Sequence, residues 1–200
     1  LWPDKDPASA SRNLNMALTS LRKTLEPQAT WGESRYLVSS NDSLWLNLGQ
    51  GGWVDLELFE EKFEEARKAE ATGEGASYLR HLLEAKSLYQ GDFLADIYED
   101  WCLPLREDMR RHYLDILQRL ARIYYRDGEP VKAVHFLERA FQRDASNEEI
   151  CRLLMELYAA IGDRSGVERT YARCKAYLIE NCEITVSQET EEIYRQLHGV

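Results

Sequence analysis

Arg12, Asn15, Thr19, Arg22 and Lys23 recur at three- and four-residue steps, a spacing that gathers side chains on one side of a helix. Guanidinium, carboxamide and hydroxyl groups are the ones that read base edges in a major groove. Here that role falls to Arg12, Asn15 and Thr19, while Arg22 and Lys23 suit phosphates. Arg35 and Asn41, further along, suit a nucleic-acid backbone or minor groove. On the helix alone a solvated polar face explains the same residues, so the element on its C-terminal side must decide between the two. Nothing comparable supports catalysis. His81, His112, His135 and His198 fall on separate predicted helices without the i, i+4 pairing of a helical metal site. The acids Glu57, Glu60, Glu61, Glu64 and Glu65 form the polar side of an amphipathic helix. There is no Gly-rich phosphate loop, no G-x-S-x-G and no cysteine with a local base. The chain is therefore expected not to be an enzyme, with no metal and no cofactor.

The elements that would position these groups are legible. Asp6-Pro7 opens a helix with a cap and a preset first turn, and Pro27 stops it. Ala10, Leu14, Ala17, Leu18, Leu21 and Leu25 supply its apolar face. From Arg35 to Leu48, two β-rich runs around Ser40-Asn41-Asp42-Ser43 predict a hairpin. Gln50-Gly51-Gly52 then marks a boundary, which divides the chain into domains at 1–50 and 51–200. Asp55 is the expected N-cap of the next helix, with Val54 and Phe59 as a hydrophobic staple across it.

Beyond that boundary the sequence repeats. Leu117–Ala140 superimposes on Cys151–Cys174 with a displacement of 34 residues, placing Leu120 over Leu154, Ala121 over Met155, Tyr124 over Tyr158 and Gly128 over Gly162. Ala133 over Val167, Leu137 over Tyr171 and Ala140 over Cys174 continue the match. Large residues where a helix pair fills its seam, small ones where backbones approach, and a glycine in the turn define a tetratricopeptide-like repeat. One unit cannot bury its apolar face alone, so a weaker third copy is expected from Asp55 to Tyr89. Helices are predicted near 55–71, 75–89, from Pro104 onward, and near 130–143, 147–161, 164–180 and 187–197, the last as a cap. The predicted class is mainly α, a helical repeat domain behind a helix and a β-hairpin. Tyr124, Tyr158 and Tyr171 are needed by the repeat itself, which leaves Tyr125 and Tyr177 as candidate protein-binding residues.

The net charge is −10, from 35 acids and 25 bases, but it is unevenly spread. Residues 1–50 carry five of each, so the excess lies wholly in the remainder, 30 acids against 20 bases. Only the front end is then suited to approach DNA, and the acidic body is left to meet protein. The four cysteines, Cys102, Cys151, Cys174 and Cys182, show no metal spacing and read as reduced core residues. No apolar run is long enough for a membrane span and no secretory signal opens the chain, so a cytoplasmic, membrane-free protein is expected.

A helix with a polar, mildly basic face followed by a β-hairpin resembles the recognition helix and wing of a winged helix-turn-helix domain. With Leu1-Trp2-Pro3-Asp4 and the run Leu14–Leu25 around Leu21-Arg22-Lys23, the chain resembles activators of the SARP type, in which an OmpR-like winged helix precedes a bacterial transcriptional activator domain. The second domain shares Val54-Asp55-Leu56, Tyr89-Gln90-Gly91-Asp92-Phe93-Leu94, and Trp101 with Arg106 and Arg110. The winged helix is partial here, beginning at what would be the tail of its second helix, and Asn15 stands where the family often carries arginine. The resemblance implies a dimer on repeated promoter sites that recruits RNA polymerase. The competing expectation is a repeat scaffold that binds protein partners and never touches DNA.

Overall fold

The computed structural model describes residues 2, 4–28, 34–40 and 43–198. The chain parts into two compact units, Leu1–Val54 and Asp55–Val200.

The first unit contains α1 (Pro7–Leu25), β1 (Leu37–Ser40), β2 (Ser43–Leu46) and a 3-10 turn at Gly49–Gly51. Asp6, extended at φ −62° and ψ 153°, accepts from the Ser9 N–H at 3.0 Å, and Pro7 occupies the first turn. The strands pair antiparallel, Leu37 opposite Leu46 and Val38 opposite Trp45. One expectation fails: the apolar face of α1 is not buried. Leu14 and Leu18 are half-buried, while Leu21 and Leu25 are 47% and 45% exposed. One helix and a two-stranded sheet offer too few layers to enclose such a face, and Leu37 is the residue of the hairpin that they bury.

The second unit is helical throughout: α2 (Asp55–Thr72), α3 (Gly75–Leu88), α4 (Leu103–Arg126), α5 (Pro130–Arg143), α6 (Glu148–Ala160), α7 (Arg164–Cys182) and α8 (Gln188–His198). These pair as hairpins α2/α3, α4/α5 and α6/α7, each stacked on the next, with α8 against α6 and α7. The 34-residue correspondence holds in the core. Leu120 and Leu154 are fully buried, as are Ala121 with Met155, Ala133 with Val167, and Ala140 with Cys174. Gly128 and Gly162 both turn the chain at φ +79°, a left-handed conformation that glycine adopts without strain. The weaker copy is present too, with Phe59, Phe63, Ala66, Leu82 and Ala85 buried between α2 and α3. A different constraint acts on Gly166, where a Cβ would lie 2.4 Å from the Tyr158 ring, so α7 can approach α6 only without a side chain there.

Two local expectations need correction. Asp55 lies inside α2, and its carboxylate accepts from the adjacent Leu56 N–H at 2.9 Å and not from a donor two or three residues on. Cys102, Cys151 and Cys174 are buried, but Cys182, in the last turn of α7, is exposed. Between α3 and α4 the chain is held by Arg106. Its guanidinium donates to the carbonyls of Phe93 at 2.7 Å, Ile97 at 2.5 Å and Leu94, the last in a left-handed conformation at φ +46°. None of the described tryptophans belongs to the helical core. Trp2 is half-buried, and Trp45, Trp53 and Trp101 are exposed.

Candidate nucleic-acid interface

On α1, Arg12, Asn15, Met16, Thr19, Ser20 and Lys23 line one shallow, open depression. Four of the five predicted groups on this helix therefore share a face. Arg12, Asn15 and Lys23 are exposed with Met16 between them, a row of donors over about three turns. Thr19 is more constrained than its sequence suggests. Its hydroxyl donates to the Asn15 carbonyl at 2.7 Å, which leaves it an acceptor toward a ligand. Arg22 is half-buried beside this face and does not line the depression. With Lys23 it lies in the last turn, where a cation also complements the negative end of the helix dipole.

The hairpin is fixed to the end of this helix by Glu26, a residue whose role is not apparent in the sequence. Its carboxylate accepts from the Ser34 hydroxyl at 2.5 Å and from the Arg35 N–H at 2.7 Å. The Ser34 bond, then the Arg35 amide and the Arg35 charge, hold the Glu26 carboxyl below its ordinary value. Asn47 secures the other strand, donating to the Arg35 carbonyl at 3.0 Å. Arg35 itself is exposed at the base of the hairpin. Asn41 lies outside the described residues. Glu26 gives no signal in sequence because its partners are eight and nine residues away, beyond any helical periodicity.

In the second unit the two candidate tyrosines part company. Tyr125, 50% exposed, borders an apolar groove between α4 and α6 with Gln118, Arg122, Leu153, Glu156 and Leu157. Tyr177, 40% exposed on α7, is not among the residues lining it. Tyr158 and Tyr171 are buried as the repeat requires, and Tyr124 is half-buried. The fold also brings together one group that no single helix foretold. His81 Nδ1 on α3 lies 3.0 Å from Glu65 on α2 and 3.4 Å from Glu84. Lys62 donates to the same Glu65 oxygen at 2.7 Å, so a resident cation already serves that carboxylate. Burial and hydrogen bonding to Glu138 push the Tyr158 phenol up to about 12, as expected of a core group.

Stacked antiparallel helical hairpins behind a helix and hairpin define an α-helical repeat protein of the tetratricopeptide type, with a separate small unit in front. Residues 54–198 match the bacterial transcriptional activator domain, and the chain belongs to that family. Among solved structures, the chain is similar to Mycobacterium tuberculosis EmbR in complex with a low-affinity phosphopeptide. The identity is 19% and the TM-score 0.69, over 98% of this chain and 52% of that one. This chain thus spans about half the length of that relative. It is also similar to the C-terminal tetratricopeptide-repeat domain of a Plasmodium falciparum FK506-binding protein, at 12% identity and TM-score 0.51, covering 76% of this chain and 95% of that one. Both likenesses are of fold. No curated protein matches the chain. No helix among the described residues is long and apolar enough to cross a membrane.

Proposed function

We propose that this chain is part of a SARP-type transcriptional activator that reads promoter DNA. In this reading residues 1–50 form a partial winged helix. Its α1 enters the major groove with Arg12, Asn15 and Thr19 toward base edges and Arg22 and Lys23 toward phosphates. The hairpin serves as the wing, with Arg35 and Asn41 toward the backbone. Residues 51–200 serve self-association, signalling or recruitment of RNA polymerase, on promoter sites that occur in repeats. The observation that carries the reading is the open face shared by Arg12, Asn15, Thr19 and Lys23 on a capped helix whose end is bound to a β-hairpin. Membership in the transcriptional activator domain family supports it.

The test is fluorescence anisotropy of the chain on DNA selected from a randomised library, at several salt concentrations. With about three phosphate contacts, affinity should fall roughly fortyfold for a fourfold rise in salt. The double variant R12E/K23E should lose binding with an unchanged melting temperature. Salt-independent binding, or binding that survives the double charge reversal, overturns the reading. The groove beside Tyr125 favours the alternative of a scaffold that docks protein and leaves DNA alone. On that alternative R12E/K23E changes nothing, and a Tyr125→Ala variant loses its partner.

A further inference from the structure

Where α4, α5 and the loop after α3 meet, guanidinium groups gather around two stacked phenol rings. Tyr89 and Tyr113 stack with centroids 4.1 Å apart and planes 11° from parallel. The Arg139 guanidinium carbon lies 5.8 Å from the centre of the Tyr113 ring and that of Arg143 lies 6.0 Å from the centre of Tyr89. Arg110 donates to the backbone carbonyl of Arg143, which brings a third guanidinium to the same place. Burial raises both phenols. The charges of Arg143 and Arg110 oppose that rise at Tyr89, and those of Arg139 and Arg143 oppose it at Tyr113.

This is an unusual gathering of cations in a unit whose acids outnumber its bases. One carboxylate enters it: Asp92 accepts from the Tyr89 hydroxyl at 2.8 Å and lies 3.8 Å from Arg143. Arg139 has no ion-pair partner among the described residues; it lies over the Tyr113 ring and close enough to the hydroxyl to oppose the phenol's rise. Tyr113 is fully buried, and its hydroxyl has no hydrogen-bond partner among the described residues. Leaving a buried donor unsatisfied is costly, because its hydration is lost without replacement. A carbonyl would serve the phenol but leave the charges of Arg110 and Arg139 uncompensated. A group with several anionic oxygens serves both, because arginine forks match its geometry in a bidentate manner.

We propose that Arg110, Arg139 and Arg143, with the Tyr113 hydroxyl, form a binding site for a phosphate group, presented either as inorganic phosphate or as the phosphomonoester end of a small molecule. Arg139 and Arg143 are half-buried and reach the surface. Because the Tyr113 hydroxyl is enclosed, entry of the ligand requires the Arg139 side chain to swing off the ring. Asp92 competes for Arg143 and keeps the site from holding an anion too tightly to release.

Calorimetric titration of the whole chain with sodium phosphate, and separately with adenosine monophosphate, tests this against sodium chloride at equal ionic strength. Saturable binding is expected, weakened roughly tenfold or more by R139Q and weakened also by Y113F. D92N should tighten it. In the absence of phosphate, Y113F should melt at or above the wild-type temperature, since it removes an unpaired hydroxyl. This keeps the test informative should R139Q fold poorly. Tighter binding of the nucleotide identifies a small phosphomonoester as the source, and equal binding identifies inorganic phosphate; both outcomes support the site. No saturable heat with either ligand up to about 20 mM, or affinity unchanged in both R139Q and Y113F, overturns it.

Discussion

Glu148 stands in the first turn of α6, where a carboxylate complements the helix dipole, yet its bonds are spent on another element. It accepts from the Ser187 hydroxyl at 2.6 Å and the Ser187 N–H at 2.9 Å, fixing the start of α8. Partial burial acts to raise this carboxyl, but the bonds from Ser187 and Thr190 and the nearby Arg152 outweigh it, so it lies below the ordinary glutamate value of 4.5. A folded-state value that is lowered gives stability present above the unfolded value and lost as pH falls through the folded one. Glu148→Gln should therefore cost about 1 kcal/mol at neutral pH and little in acid. Thermal melts of both proteins across a pH series should show the gap narrowing as pH falls below 4.5. A gap that does not change with pH would assign the loss to packing and not to charge. Arg152 adds a second clamp to the same helix, donating to the buried Thr190 hydroxyl at 3.0 Å.

At the level of the helices, the close approach of α6 and α7 rests on Gly166. Gly166→Ala should destabilise the protein by about 1–3 kcal/mol through overpacking against Tyr158. Gly128→Ala meets no neighbour within 4 Å and should cost only about 1 kcal/mol, from its left-handed backbone. Urea denaturation of the two variants compares the mechanisms directly, and equal losses would refute the packing argument. The turn glycines were legible because a repeat of 34 residues exposes any position that recurs. Gly166 was not, since its equivalent one repeat earlier is Lys132 and no recurrence marks the position. The repeat helices emerged from sequence almost to the residue, because each carries a strong apolar stripe and a turn signal. The front unit was legible in kind, as a capped helix and a hairpin, but not in packing. Periodicity shows which face of α1 is apolar, and it cannot show whether anything covers it. The cation cluster around Tyr113 was invisible for a third reason: Arg139 and Arg143 are neighbours on α5, but Arg110 is distant from them in sequence, and only the packing of α4 on α5 brings it and the phenols to that pair.

Across the whole molecule, charge is unevenly divided. The first 50 residues are electrically balanced, and the acidic excess belongs to the helical stack. Self-repulsion in that stack should make its melting temperature rise with moderate salt, while any association of the front unit with DNA weakens under the same change. A stack in which each hairpin meets only its neighbours also spreads damage locally, so a lesion near α8 should leave α2 and α3 protected in hydrogen exchange. The placement of the indole rings has a practical corollary. Since Trp45, Trp53 and Trp101 are exposed and the stack is filled by phenyl, phenol and aliphatic groups, the emission of these three indoles should already be red-shifted in the native protein. Unfolding followed by that fluorophore should show a small amplitude, and circular dichroism should register the transition in full. The chain thus carries its own reporter for the front unit and the Arg106 loop, one that is nearly blind to the melting of the helical core.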